Sequence, residues 1–302
     1  MSKLEVEDIR KLSTENRNVD SVDIDILPTL EVCKLINNND KTVPLAVEKE
    51  LNSIATVIDE VVNAFEKGGR LIYLGAGTSG RIGLIDAVEC RPTFSCDDEM
   101  VQGIMAGGKE AFVRAKEGAE DDVNQAKVDL ENISLSKNDI LIGIAASGRT
   151  PYVLGAIEYA KSVGCKTASI ATVKNSLIGE KADYKIEVDT GPEVLAGSTR
   201  MKAGTAQKLI CNMISTTAMI KIGKVYSNLM IDVKPTNEKL VKRACNIVME
   251  ITGCSNDVAL EKINKYKNPK KSVISILCGI DDEKEIDKLL KKNGNDLRKV
   301  IG

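Results

Sequence analysis

Residues 70–88 read RLIYLGAGTSGRIGLIDAV, and this stretch decides the fold. A short apolar run, 70–74, passes directly into Gly75-Ala76-Gly77-Thr78-Ser79-Gly80-Arg81 and then into the apolar IGLIDAV of a helix. Strand, glycine-rich turn and helix in that order form a phosphate cradle. Glycines let the backbone approach an anion, the free amides and dipole of the helix start favour negative charge, and Thr78 and Ser79 add hydroxyl donors. Arg81 is placed to add charge-assisted bonds. The same residues satisfy G-x-G-x-x-G and so raise a dinucleotide site. That reading wants a carboxylate at the end of the next strand, about 20 residues on, to hold a ribose. Here VQGIMA, 101–106, ends in Gly107-Gly108, and the dinucleotide reading is set aside.

Outward from this stretch, VQGIMA (101–106), DILIGIA (139–145), KTASIAT (166–172) and a weaker YKIEVD (184–189) are separated by helical patterns or glycine-rich loops. Strands alternating with helices predict an α/β fold, a doubly wound parallel sheet with helices on both faces and its ligand at the strands' carboxyl ends. The run 139–145 leads into Ala145-Ala146-Ser147-Gly148-Arg149-Thr150-Pro151, again a strand, a hydroxyl-bearing glycine loop and a helix. Two such loops predict a phosphomonoester gripped by Gly77, Thr78, Ser79, Gly80 and Arg81 from the first and by Ser147, Gly148, Arg149 and Thr150 from the second. Taken singly, the hydroxyls of either loop read as ordinary helix caps.

Apolar residues at helical spacing from Pro44 to Glu66 predict one amphipathic helix, stopped by Gly68-Gly69. A proline-free helical pattern spans 201–222, suited to pack across the sheet or a partner subunit. Past Val233-Lys234-Pro235 the chain turns lysine-rich, with helical patterns near 238–252, 255–265, 270–278, 283–292 and 294–301. The expected organisation is an N-terminal segment, 1–43, a ligand-binding α/β domain, 44–234, and a small all-helical domain, 235–302.

Composition narrows the chemistry. Among 302 residues, 42 Lys and Arg stand against 44 Asp and Glu, so no broad basic face invites nucleic acid or membrane. The N-terminus lacks an apolar secretory core and no run reaches the roughly 20 apolar residues of a membrane span, which makes the cytoplasm the expected location. Eight scattered cysteines without a C-x-x-C pair read as reduced and mostly buried. There is no histidine, which removes the commonest general acid/base and the commonest zinc ligand. Asp97, Asp98 and Glu99 read as solvated loop carboxylates, and neither a metal nor a cofactor is expected.

GAGTSGR and AASGRTP resemble the paired phosphate loops of the sugar isomerase (SIS) fold. More of the chain is similar to the N-acetylmuramic acid 6-phosphate etherases: LSTENRN, GTSGRIGLIDAVECRPTF, IMAGGKEAF with KEGAEDD, and EVLAGSTRMKAGTAQKLICNMISTTAMIKIGKVYSNLMIDV. Arg91 stands where that family usually has proline, and Lys116 where an apolar residue is usual. The resemblance implies removal of D-lactate from carbon 3 of an N-acetyl sugar 6-phosphate by elimination and addition of water, with an acid and a base and no cofactor.

Without histidine the natural acid and base are carboxylates, at least one raised toward neutrality by burial. Glu89, in AVEC at the expected close of the first helix, has apolar neighbours; the resemblance makes it the proton donor. Glu120 lies in the charged run Glu117, Glu120, Asp121, Asp122, ordinarily a solvated face, and only the resemblance makes it the second catalytic glutamate, expected to act as base. The loop 193–204 brings Ser198, Thr199, Arg200 and Lys202 before the long helix, and resembles a family loop expected to contact phosphate or the lactyl carboxylate. A non-catalytic sugar-phosphate sensor and an aldose-ketose isomerase remain the alternatives. A homodimer is expected, and cell-wall recycling is the role the resemblance implies.

Overall fold

The computed structural model describes residues 13–114 and 116–302. They fall into two compact units, one made of the described residues to Ala87 with Glu99–Ser215, the other of Val88–Asp98 with Thr216–Gly302.

The first unit is built on five parallel strands, β1 (Leu71–Gly75), β2 (Val101–Met105), β3 (Ile140–Ile144), β4 (Lys166–Ala171) and β5 (Tyr184–Glu187), in the order β2-β1-β3-β4-β5. Every residue of β1 and β3 is buried, as a sheet covered on both faces requires. The helices of the N-terminal two-thirds are α1 (Thr29–Asp40), α2 (Thr42–Glu48), α3 (Leu51–Glu66), α4 (Gly77–Phe94), α5 (Gly108–Val113), α6 (Val123–Asn132), α7 (Pro151–Ser162), α8 (Leu177–Lys181) and α9 (Lys202–Lys221). On one face Ile72, Leu74 and Leu141 pack with Leu130, Val153, Ile157 and Ile178 of α6, α7 and α8. On the other, α3 crosses β1, β3 and β5, and the Tyr73 hydroxyl donates to the Cys211 carbonyl of α9 at 3.2 Å.

The start of α4 lies on the sheet at backbone contact. A Cβ on Gly103 would sit 2.4 Å from the Leu84 Cα, and one on Gly80 would sit 2.6 Å from the Gly75 carbonyl oxygen. No side chain fits either gap, so glycine is required there by space rather than by backbone angle.

The fold and its five strands follow the expected pattern, with two local corrections. The single helix expected from Pro44 to Glu66 is two, α2 and α3, separated at Lys49-Glu50. Glu50 closes a tighter bond to the Val47 carbonyl (2.9 Å), and its carboxylate turns aside to Lys174 and to Ser53 Oγ (3.2 Å). The first helix does not close at Glu89: α4 runs on to Phe94 through Pro92. Pro92 deletes one main-chain donor, and the Thr93 hydroxyl supplies a bond to the Glu89 carbonyl at 2.8 Å in the same turn.

The second unit holds α10 (Glu238–Thr252), α11 (Asn256–Tyr266), α12 (Pro269–Cys278), α13 (Glu283–Lys292) and α14 (Leu297–Ile301), with a hairpin of β6 (Val225–Tyr226) and β7 (Leu229–Met230). Each helix starts behind an Asn, Ser or Asp whose side chain accepts a first-turn amide: Asn237, Ser255, Asn268, Asp282 and Asp296. Lys270, buried, ties three segments together through the Asp232 carboxylate (3.0 Å) and the carbonyls of Gly223 (2.7 Å) and Asn295 (3.1 Å). Among the described residues, no helix is long and apolar enough to cross a membrane. None of the eight cysteines is in a disulfide, and five are buried.

One ion pair fastens the sheet below β1 and β3. The Asp139 carboxylate, 2% exposed, takes Nε and Nη2 of Arg70 at 3.0 and 2.8 Å and the amides of Arg70 and Ser136 at 2.9 and 2.8 Å. Burial pushes this carboxyl up, but the Arg70 guanidinium and the Ser136 amide hold it below the ordinary carboxylate range. A depressed folded pKa contributes stability that is present above the unfolded value and lost as pH falls through the folded one. Asp139→Ala is therefore expected to cost about 3 kcal/mol at pH 7, read as a lower urea midpoint. The gap from wild type should narrow as pH falls below about 4.

Candidate active site

β1 and β3 are neighbours in register, with Gly75 opposite Ile144, so the two loops that follow them leave the sheet side by side. This is also where the strand order reverses, the crevice in which open α/β sheets bind ligands. The first loop enters α4 at Gly77, whose φ of +53° suits glycine. Gly80 is the first residue of this turn to bond back, to the Ala76 carbonyl at 3.1 Å, which leaves the amides before it as donors for an anion. Ser79 and Gly80 are buried beneath the loop, and Thr78 is half-buried.

In the second loop Gly148, at φ +66°, presses on Ser176 and gives its carbonyl to the Ile178 amide at 3.0 Å. The helix-cap reading of this loop fails on its hydroxyls. Thr150 makes no capping bond to α7, and Ser147 Oγ only receives the Arg149 amide at 3.4 Å. Arg149 is half-buried, with its Nε enclosed and lacking a hydrogen-bond partner.

The third loop approaches the first: a Cβ on Gly204 would lie 3.4 Å from the Thr78 methyl and 3.7 Å from the Thr199 carbonyl oxygen. Its own helix start is already occupied. Glu193, fully buried, accepts the amides of Lys202 and Ala203 at 2.9 Å each, so a carboxylate of the chain itself fills the anion seat of α9. Lys202 points inward, its ammonium bonded to the Thr190 carbonyl at 2.8 Å; burial lowers its pKa, partly offset by the Glu193 charge. Ser198 and Thr199 are half-buried and Arg200 is exposed. Glu193 is the residue that sequence reasoning missed. Its one signal is a lone carboxylate in the loop ahead of a helix whose first turn, KAGT, carries no acid.

An open cleft of about 190 Å³ adjoins the first loop, smaller within one chain than the roughly 300–1,000 Å³ usual for small-molecule sites. Gly77 and Arg81 line it from α4, Met105 and Ala106 from the end of β2, and Lys116, Glu117 and Glu120 from the segment after α5. Glu120 sits in a short 3-10 turn, Ala119–Asp121, entered through Gly118 at φ +74°. The Arg81 guanidinium is taken up by main chain, with Nε bonded to the Phe112 carbonyl at 3.0 Å and Nη2 to that of Ala111 at 2.6 Å. Glu89 is exposed on α4, twelve residues past Gly77, following Ile85 at 52% exposure and Val88 at 60%. Of its apolar neighbours in AVEC, Val88 is exposed, whereas Ala87 and Cys90 are buried. Among the described residues no cluster of three His, Cys, Asp or Glu forms a metal site.

Comparison with known proteins places this geometry. Residues 53–161 match the glucokinase regulatory protein N-terminal SIS domain family, and residues 125–216 the SIS domain family. A putative phosphosugar isomerase involved in capsule formation from Bacteroides fragilis NCTC 9343 shares the fold, with a TM-score of 0.50 and 18% identity over 64% of this chain and 91% of that one. An N-acetylmuramic acid 6-phosphate etherase of Bacillus cereus strain G9842 is 53% identical over 95% of this chain and 98% of its own length. A Bacillus anthracis protein of the same name is 52% identical over the same shares. Sequence identity of that order along nearly the whole chain, in a protein whose paired loops meet at the switch point of a SIS sheet, makes this chain a member of the N-acetylmuramic acid 6-phosphate etherase family.

Proposed function

We propose that this protein cleaves the D-lactyl ether of N-acetylmuramic acid 6-phosphate, giving N-acetylglucosamine 6-phosphate and D-lactate. The observation that carries the reading is the cleft at the β1 loop, where a helix start with unspent amides and a glutamate face the same space. The phosphate sits on the amides of Gly77, Thr78 and Ser79 with the Thr78 and Ser79 hydroxyls, and Ser147, Gly148, Arg149 and Thr150 close on it from the second loop. Ser198 and Thr199 reach the same region past Thr78, while Arg200 meets the substrate from the exposed side of the third loop. Lys202, bonded inward, supports that loop.

The reaction begins on the ring-opened aldehyde, whose carbonyl acidifies the proton on carbon 2. Glu120 removes that proton, the electron pair forms the carbon 2–carbon 3 double bond, and the carbon 3–oxygen bond breaks. A glutamic acid gives its proton to the departing ether oxygen, so lactate leaves with its hydroxyl restored. Water then adds: its oxygen bonds to carbon 3 and a proton returns to carbon 2. The balance closes with one base, one acid and one water.

Glu89 is the acid. Because it is exposed and stands beside the exposed apolar Ile85 and Val88 of α4, we place it in the site of a second copy, where contact would cover it. The working protein is then a homodimer.

Three outcomes are expected. Wild-type protein in chelator-treated buffer releases lactate from N-acetylmuramic acid 6-phosphate, and Glu120→Gln and Glu89→Gln each lower kcat by about 10²–10⁴ while the variants stay folded. Binding without release by wild type would identify a sugar-phosphate sensor instead. Light scattering during size exclusion gives a mass near twice 32.6 kDa; a mass at the monomer value would remove Glu89 from the cleft. Arg200→Ala raises KM with little change in kcat, as loss of a ground-state contact does, and an unchanged KM would remove Arg200 from the site.

A further inference from the structure

The side-on edge of a guanidinium, Nε with Nη2, is the pair that grips a phosphate bidentately. In Arg81 that edge is committed to main chain, to the Phe112 carbonyl at 3.0 Å and the Ala111 carbonyl at 2.6 Å. These carbonyls lie in the last turn of α5, a six-residue helix whose capping bond runs from the Arg114 amide to the Glu110 carbonyl. Beyond α5 the chain returns, and Lys116–Glu120 walls the cleft. The return is close: a Cβ on Gly107, at φ +84°, would lie 3.0 Å from Lys116 Cδ and 3.4 Å from Ala119 Cβ. The segment that carries Glu120 is thus seated on Gly107 at one end, and the helix from which it springs is pinned to α4 by Arg81 at the other.

We propose that Arg81 is a positioning residue that locks the Glu120 segment to the first turns of α4, leaving the phosphate to the amides and hydroxyls ahead of it. This rests on the reading of Glu120 as the base. A binding role would place the guanidinium's energy in ground-state affinity. A positioning role places it in the geometry of the base, and its loss appears in kcat. Lysine keeps the charge but lacks the planar fork, so it does not reproduce the side-on grip of Nε and Nη2 on two neighbouring carbonyls.

The test compares wild type with Arg81→Lys and Arg81→Gln as full-length proteins matched by circular dichroism. Hydrogen exchange is followed over 108–125, where the amides of Arg114 and Asp121 are bonded to the carbonyls of Glu110 and Gly118. Exchange in this segment is expected to rise about tenfold in both variants. The same variants should lose about tenfold or more in kcat with KM changed less than about threefold, and competition by inorganic phosphate should be unaltered. Unchanged exchange together with tenfold weaker phosphate competition and an intact kcat would overturn the proposal and make Arg81 a phosphate ligand. Should wild type release no lactate, the etherase reading fails by itself, and the exchange and phosphate measurements still decide what Arg81 holds.

Discussion

The structure depends on how closely the start of α4 is laid on its sheet. Ordinary helix-to-sheet packing interposes two layers of side chains; here Gly75, Gly80, Gly83 and Gly103 remove them, and the would-be Cβ atoms fall 2.4–2.8 Å from opposing atoms. The contact fixes the depth and direction of the first turns of α4. Everything in the candidate site is measured from that position: the amides ahead of Gly80, the Arg81 clasp on the end of α5, and the neighbouring loop from β3, in register one strand away.

A second regularity concerns which helix starts are left open to an anion. Around the crevice α8 is closed by Ser176, whose hydroxyl accepts the Gly179 amide, while Glu187 accepts the amides of Asn175 and Ser176. α9 is closed by Glu193, and α6 by Asp122. α4, α5 and α7 begin without a side-chain acceptor on their first-turn amides among the described residues. Each follows a glycine-bearing turn at the end of β1, β2 or β3. A chain of nearly balanced charge thus withholds its own carboxylates from three helix starts at one end of the sheet while spending them on the others.

Much of this was legible in the sequence. The strands announce themselves as apolar runs because both sheet faces are covered, and the loops announce themselves because glycine beside serine and threonine has few other uses between a strand and a helix. The five helices of the tail were readable from their helical patterns. What sequence could not give depends on contacts between distant residues. Nothing local tells that Glu193 folds back on α9, that Glu50 turns to Lys174 and breaks a helical pattern in two, or that the edge of Arg81 is already engaged. Glu120 is the plainest case. Its surroundings read as a solvated acidic run, it is indeed exposed, and only the cleft beside it and the likeness to a family distinguish it from its neighbours.

The glycine contact beneath α4 also bears on how such a protein changes over time. The residues that set the shape lie under the loops and tolerate almost no substitution, since any side chain there would lift the helix from the sheet. Those proposed to meet a ligand, Thr78, Ser147, Arg149 and Glu120 among them, stand in the loops and hold little of the frame together. A lineage built this way can exchange its chemistry one tip residue at a time without renegotiating its architecture, and a designer seeking a new ligand has the same short set of positions to vary.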